Sequence, residues 1–206
     1  MPFISGHTVA IVPIKPFAEA KSRLAEAFGP AQRSEIAERL ARKVLSVLRT
    51  SELEAIVVTC DPRARILAAE CGATIIDEPE RSGLNAAWEL GIEEAERLGM
   101  ASALLLPADL PHVEPADIRT ALRRPGADGV VIAPSQDSDG TNALCIPLPP
   151  PLRPAYGPGS CRRHVQAVLR AGAPLRVLRR PGLAIDADRP SDLGSPTDPG
   201  GRAQTS

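Results

Sequence analysis

Short aliphatic runs alternate with helix-length amphipathic stretches over most of the chain, and this alternation restricts the fold more than any other feature. Thr8-Val9-Ala10-Ile11-Val12-Pro13 predicts a first strand. Residues 30–49 then place Ile36, Leu40, Val44, Leu45 and Leu48 at helical spacing, with Arg33, Glu35, Arg39 and Arg42 on the other side. Strands are predicted over 55–59, 73–76, 103–106 and 129–133, separated by helices over 62–70, 85–98 and 114–122. Apolar runs of this kind suit strands covered on both faces. The expected fold class is therefore α/β, a three-layer α/β sandwich with a mainly parallel sheet. The later part is less regular, with a short strand at 143–146, a Pro-rich segment at 147–154, a helix at 160–170 and a strand at 175–178.

The length of 206 residues suffices for one substantial core, and no linker divides the chain, so residues 1–193 read as a single domain. Residues 194–206 carry too little apolar content to order themselves and are expected to form a disordered tail. Lys and Arg total 24 against 25 Asp and Glu, so the chain lacks the broad basic field that nucleic acid requires, and any anion site must be local. An aromatic content of 2% also argues against base-stacking platforms for single strands. No apolar run approaches the roughly 20 residues of a membrane helix, and the first residues do not read as a secretory signal, which predicts a cytoplasmic protein without membrane partners. The four cysteines form no Cys-x-x-Cys pair and read as reduced, mostly buried thiols rather than zinc ligands.

Candidate chemistry gathers where strands end. In parallel sheets ligands collect beyond the carboxyl ends of strands, and the first strand runs directly into Lys15, Lys21 and Arg23, where a polyanion would bind. Asp109 follows the 103–106 strand in Pro107-Ala108-Asp109-Leu110-Pro111 and could hold a divalent metal; the alternative is a plain loop carboxylate. Asp186 and Asp188 follow Gly182-Leu183-Ala184-Ile185, and alternation on an extended segment would turn both to one side, while Asp192 reads as a helix cap. Gly157-Pro158-Gly159-Ser160 permits close backbone approach before a helix whose first amides favour an anion, although such a turn can equally be only a helix start. Thr141 lies in a second glycine-led segment, Gly140-Thr141-Asn142-Ala143-Leu144. Gly83 and Asn85 open another helix; the Asn85 amide could meet a nucleobase or act as a cap. His164 stands four residues after Ser160, but without a nucleophile elbow a surface or helix-packing role fits it better. Neither a P-loop nor a Gly-x-Gly-x-x-Gly turn follows the first strand.

Taken in order, Val12-Pro13-Ile14-Lys15-Pro16, Ala20-Lys21-Ser22-Arg23-Leu24, Gly83-Leu84-Asn85, Ala108-Asp109-Leu110-Pro111, Gly140-Thr141-Asn142-Ala143-Leu144, Gly157-Pro158-Gly159-Ser160 and Asp186-Ala187-Asp188 resemble the guanylyltransferases of coenzyme F(420) biosynthesis. The resemblance extends over residues 8 to 193. It implies a nucleotide-diphospho-sugar transferase (GT-A, molybdopterin guanylyltransferase-like) fold. It also implies transfer of GMP from GTP to the phosphate of 2-phospho-L-lactate, phosphoenolpyruvate or 3-phospho-D-glycerate, with release of pyrophosphate. On the matching positions it implies that Asp109, Asp186 and Asp188 hold Mg²⁺ and that Thr141, Gly157 and Ser160 hold the acceptor. Lys15, Lys21 and Arg23 would neutralise the triphosphate, with Gly83 and Asn85 facing the guanine. A downstream transferase that consumes the product is the implied protein partner.

Two departures bear on acceptor choice: Arg189 follows the last acidic pair, where an acidic residue or Thr is more usual, and Gln136-Asp137-Ser138-Asp139 is unusually polar. The competing readings are a sister nucleotidyltransferase with another phosphate acceptor, a catalytically silent nucleotide-binding module and a sugar transferase.

Overall fold

Strand β1 (Thr8–Pro13) lies inside a sheet that also contains β2 (Ala55–Thr59), β3 (Thr74–Asp77), β4 (Ser102–Leu105), β5 (Val130–Pro134), β6 (Thr141–Pro147) and β7 (Leu175–Val177), in the order β3-β2-β1-β4-β6-β5-β7. The computed structural model describes residues 8–78 and 83–194, so all of the predicted tail except Gly194 falls outside the described residues. All neighbouring strands pair in parallel except β6, which is antiparallel to both β4 and β5. The exception follows from chain length: a parallel crossover needs a dozen residues or more, and β5 and β6 are joined only by the 135–140 loop.

Alternation along the strands divides the core into two layers. Ala10, Val12, Val57, Leu104, Val131 and Cys145 face one side, packing with α1 (Pro30–Thr50), α2 (Pro62–Glu70) and α4 (Pro115–Ala121) through Val44, Leu67 and Ile118. Val9, Ile11, Val58, Leu105, Ile132 and Leu144 face the other, against α3 (Leu84–Arg97) and α5 (Ser160–Arg170) through Trp88, Ile92 and Val168. This is the three-layer architecture expected from the sequence. Pro30 and Pro62 start their helices where a missing N–H costs nothing, and Asp61 caps α2 by accepting from Arg63 N at 2.7 Å.

One segment departs from the sequence reading. The segment carrying Asp186 and Asp188, expected to be extended, is instead entered through a single helical turn, α6 (Pro181–Ala184), because Pro181 presets the first helical position. Of the four free cysteines, Cys145 and Cys161 are buried, Cys71 is half-buried and Cys60 is exposed. Among the described residues no helix is long and apolar enough to cross a membrane.

The carboxyl ends of β1, β2, β4 and β5 share one edge of the sheet, and reversal of β6 brings its first residue, Thr141, to that same edge.

Candidate active site

The loop after β1 is tied down before it presents its cations. Thr59 donates its hydroxyl to Ile14 O at 2.7 Å, and Phe17 N donates to Asp61 Oδ2 at 2.6 Å, so the carboxyl end of β2 anchors the loop. Lys21 separates two 3-10 turns, Phe17–Glu19 and Ser22–Leu24, and adopts a left-handed backbone with φ 58° and ψ 38°. For a residue with a Cβ that conformation costs about 1–2 kcal/mol. Its side chain is 6% exposed and its Nζ lies 2.7 Å from Asp109 Oδ2. Arg23 is exposed and pairs with Asp188. Lys15 lines a pocket of about 170 Å³ with Pro13, Pro16, Glu19, Cys60, Gly83 and Leu84, a lining that includes neither Lys21 nor Arg23 nor the aspartates they meet.

Asp109, Asp186 and Asp188 each bring a carboxylate oxygen within 4.8 Å of the others. Ala187 N donates to Asp109 O at 3.0 Å, joining the two acidic segments through their backbones. The Ala187 side chain is fully buried against Leu24, Ile36 and Leu40, which leaves its two neighbours to face the other way. Asp188 N also donates to Asp186 O at 2.9 Å, so a tight turn, rather than a strand, brings the pair together. Asp192 accepts from Asp188 N at 3.1 Å and Arg189 N at 2.6 Å, capping the final turn as expected. Burial raises the Asp186 carboxyl above its ordinary range, and the charges of Asp109 and Asp188 raise it further. Three hard oxygen donors, one of them held in an unfavourable charged state, suit a divalent cation such as Mg²⁺.

A different corner forms around the start of α5. Gly157 (φ 120°) and Gly159 (φ 70°) adopt backbone conformations that side-chain-bearing residues rarely reach, and they turn the chain into Ser160. Thr141 Oγ1 lies 2.9 Å from His164 Nδ1 and 3.5 Å from Ser160 Oγ. His164 Nε2 accepts from Ala155 N at 2.9 Å. Asn85 is engaged at both ends of its amide, accepting from Tyr156 N at 2.8 Å and donating to Tyr156 O at 3.3 Å. The polar 135–140 loop folds onto the same turn: Asp139 Oδ2 accepts from Gly159 N at 2.8 Å, and Asp139 O accepts from Cys161 N.

The structure adds His164, Tyr156, Trp88 and Asp139 to this corner. The Ser160 to His164 spacing was visible in the sequence, but the principal partner of the imidazole is Thr141, 23 residues away on another element. Of the two settings expected for His164, surface or helix packing, the structure shows the buried one. Burial, together with the nearby Arg163 charge, lowers its pKa to about 4.

A family model described as guanylyl transferase CofC like matches residues 8–197. A protein of Rubrobacter xylanophilus named phosphoenolpyruvate guanylyltransferase is 41% identical over 186 residues, spanning 89% of this chain and 90% of its own. A 3-phospho-D-glycerate guanylyltransferase of Phenylobacterium zucineum is 35% identical over 188 residues, spanning 89% of this chain and 86% of its own. Among solved structures, a nucleotidyl transferase from Methanothermobacter shares the fold with a TM-score of 0.62 at 17% identity, over 91% of this chain and 94% of that one.

Proposed function

The chain belongs to the CofC-like guanylyl transferase family, and from that premise we propose that it transfers GMP from Mg²⁺-GTP to the phosphate of phosphoenolpyruvate, releasing pyrophosphate. The observation that carries the reading is the meeting of Asp109, Asp186 and Asp188 with Lys21 and Arg23 beyond the ends of β1 and β4. Phosphoenolpyruvate is favoured as acceptor by the 41% identity to a relative of that name.

In this reading an acceptor phosphate oxygen attacks the α-phosphorus of GTP, a P–O bond forms, and the bond to the pyrophosphate oxygen breaks. The acceptor is already an anion near neutral pH, so no general base is required. Bringing two polyanions together is the main barrier, and positioned cations lower it. Lys21 and Arg23 would turn toward the triphosphate, and Lys15 would bind it from the pocket that contains Gly83. Thr141, Gly157 and Ser160 would hold the acceptor against the start of α5. Asp109, Asp186 and Asp188 would hold Mg²⁺, which when bound neutralises phosphate charge and supports the leaving pyrophosphate. The guanine would lie toward Gly83. Asn85 would contribute through the Tyr156 backbone it clamps, since its amide is already engaged there. The reaction would take place in the cytoplasm, and the diphosphate product would pass to a downstream transferase.

The test is pyrophosphate release from Mg²⁺-GTP by purified protein offered phosphoenolpyruvate, 3-phospho-D-glycerate or 2-phospho-L-lactate, with and without a trapping transferase. Turnover with phosphoenolpyruvate is expected. Preference for another acid would reassign the acceptor, and GTP binding without release from any of them would overturn the reading in favour of a silent nucleotide-binding module.

A further inference from the structure

We propose that His164, held as its Nδ1–H tautomer between Thr141 and the backbone of Ala155, is a positioning residue that turns the Thr141 hydroxyl proton toward the acceptor. The proposal rests on the reading above that Thr141 holds the acceptor.

The proton positions follow from two contacts. Ala155 N–H donates to His164 Nε2 at 2.9 Å, so that nitrogen must present a lone pair. A neutral imidazole carries one N–H, which then sits on Nδ1 and points at Thr141 Oγ1, 2.9 Å away. Thr141 is thereby made an acceptor toward His164. Its own hydrogen cannot return along that contact and remains free for a ligand. The Ser160 hydroxyl, 3.5 Å away, approaches the same oxygen as a second donor at the limit of hydrogen-bond range.

The surroundings keep this arrangement single. His164 is fully buried, Ser160 is 1% exposed and Thr141 is 5% exposed, so water does not compete for these groups. Tyr156 meets the imidazole edge-on, with ring centroids 5.0 Å apart and planes at 68°. Trp88 stacks on Tyr156 at 5.0 Å and 26°. The only Trp and the only Tyr of the chain therefore both pack at this corner. Protonation of the ring would set a second N–H against Ala155 N–H. The Arg163 charge and the burial that lower the pKa of His164 act in the same direction, against that form.

Two substitutions separate positioning from packing. In His164→Asn the side-chain amide can reach the place of Nδ1 and still donate to Thr141. In His164→Gln the amide reaches the place of Nε2 and can serve Ala155 but not Thr141. His164→Gln should raise the KM for the acceptor about tenfold, the cost of one lost buried hydrogen bond, while the KM for GTP stays within about twofold. His164→Asn should restore most of the difference. A long-range proton–nitrogen correlation spectrum of the wild-type protein should show the His164 proton on Nδ1, a readout that needs no variant to fold. Thr141→Val tests the underlying reading: if it leaves the acceptor KM unchanged, Thr141 does not hold the acceptor and that part of the functional reading falls first. If Thr141→Val raises the acceptor KM while His164→Gln does not, or if His164→Asn is impaired as much as His164→Gln, or if the wild-type proton is on Nε2, the positioning role is overturned.

Discussion

The acidic end and the aromatic corner share one edge of the sheet, yet they are built on opposite electrostatic terms. Around Asp109, Asp186 and Asp188, like charges are crowded together and partly offset by Lys21 and Arg23. Around Thr141 and His164 the buried side chains are neutral, and Thr141, Ser160, His164 and the Ala155 backbone are matched to one another, while the buried Tyr156 hydroxyl and Trp88 indole N–H have no hydrogen-bond partner among the described residues. The first arrangement is tense until a cation or a polyanion enters. In the second the contacts of His164 are made beforehand, and selection would follow from hydrogen-bond direction. Function would thus be divided into charge neutralisation at one end and orientation at the other.

The largest effect should come from the tense end. Asp186→Ala should lower turnover about 10³-fold or more, as expected when a group that stabilises transition-state charge is lost. It should not lower thermal stability, because removing Asp186 also removes a carboxylate held in an unfavourable charged state. Asp109→Ala should be comparably inactive but less stable, since it leaves the nearly buried Lys21 ammonium without its partner. Pyrophosphate release and thermal melts measure both properties. An active Asp186→Ala would remove that residue from the proposed metal site.

Next in size is the support beneath that end. Gly182 lies on α6, four residues before Asp186, and a Cβ placed there would lie 2.0 Å from Asp117 Oδ2 and 2.7 Å from His112 O. Asp117 is buried and accepts from Arg180 Nε at 2.7 Å, so it has little room to yield. Gly182→Ala should cost about 2–4 kcal/mol in urea unfolding and reduce activity by displacing the acidic turn. An unchanged unfolding midpoint would show that α6 can shift without disturbing Asp186.

The aromatic corner should reveal itself through pH. The folded pKa of His164 is lowered from 6.5 to about 4, so between those values the unfolded chain binds more protons than the folded one. The stability contributed by the neutral ring is complete above about pH 6.5 and declines as pH falls toward about 4, by up to about 3 kcal/mol. Asp186 acts with the opposite sign, because its raised pKa gives stability that is lost as pH rises. The clean quantity is therefore the difference between wild type and His164→Asn in urea midpoints near pH 7 and near pH 5. That difference should shrink at the lower pH; a constant one would mean that His164 is not held neutral.

The two regions also differed in how far the sequence disclosed them. The strands and most helices were legible because Val/Ile/Leu runs and the spacing in α1 follow directly from burial. The acidic residues and cations were legible as motifs at strand ends, although the sequence suggested neither the left-handed Lys21 nor the pocket that Lys15 lines without Lys21. The reversal of β6 was hidden because a short apolar run does not declare its direction, although the brevity of the 135–140 loop was a usable clue. His164 stayed hidden for a related reason. Its partners Thr141 and Ala155 lie on separate elements, and a neutral imidazole network has no local spacing rule comparable to that of paired carboxylates.

The smallest predicted effect isolates burial from charge within the tense end itself. Lys21 and Arg23 carry the same charge and each pairs with an aspartate, but the Lys21 side chain is 6% exposed and that of Arg23 is 75% exposed. Solvent screens the second pair, so Arg23→Gln should change stability by less than about 1 kcal/mol. Its effect on the KM for GTP should be a few-fold at low ionic strength and fade as added salt shortens the screening length to about 3 Å near 1 M. Lys21→Met removes an equal charge from a site that water barely reaches, and its loss of activity should be larger and should persist in salt. Equal, salt-sensitive effects at both positions would mean that the acidic end works as a diffuse surface field, with burial making no difference between the Lys21–Asp109 and Arg23–Asp188 pairs.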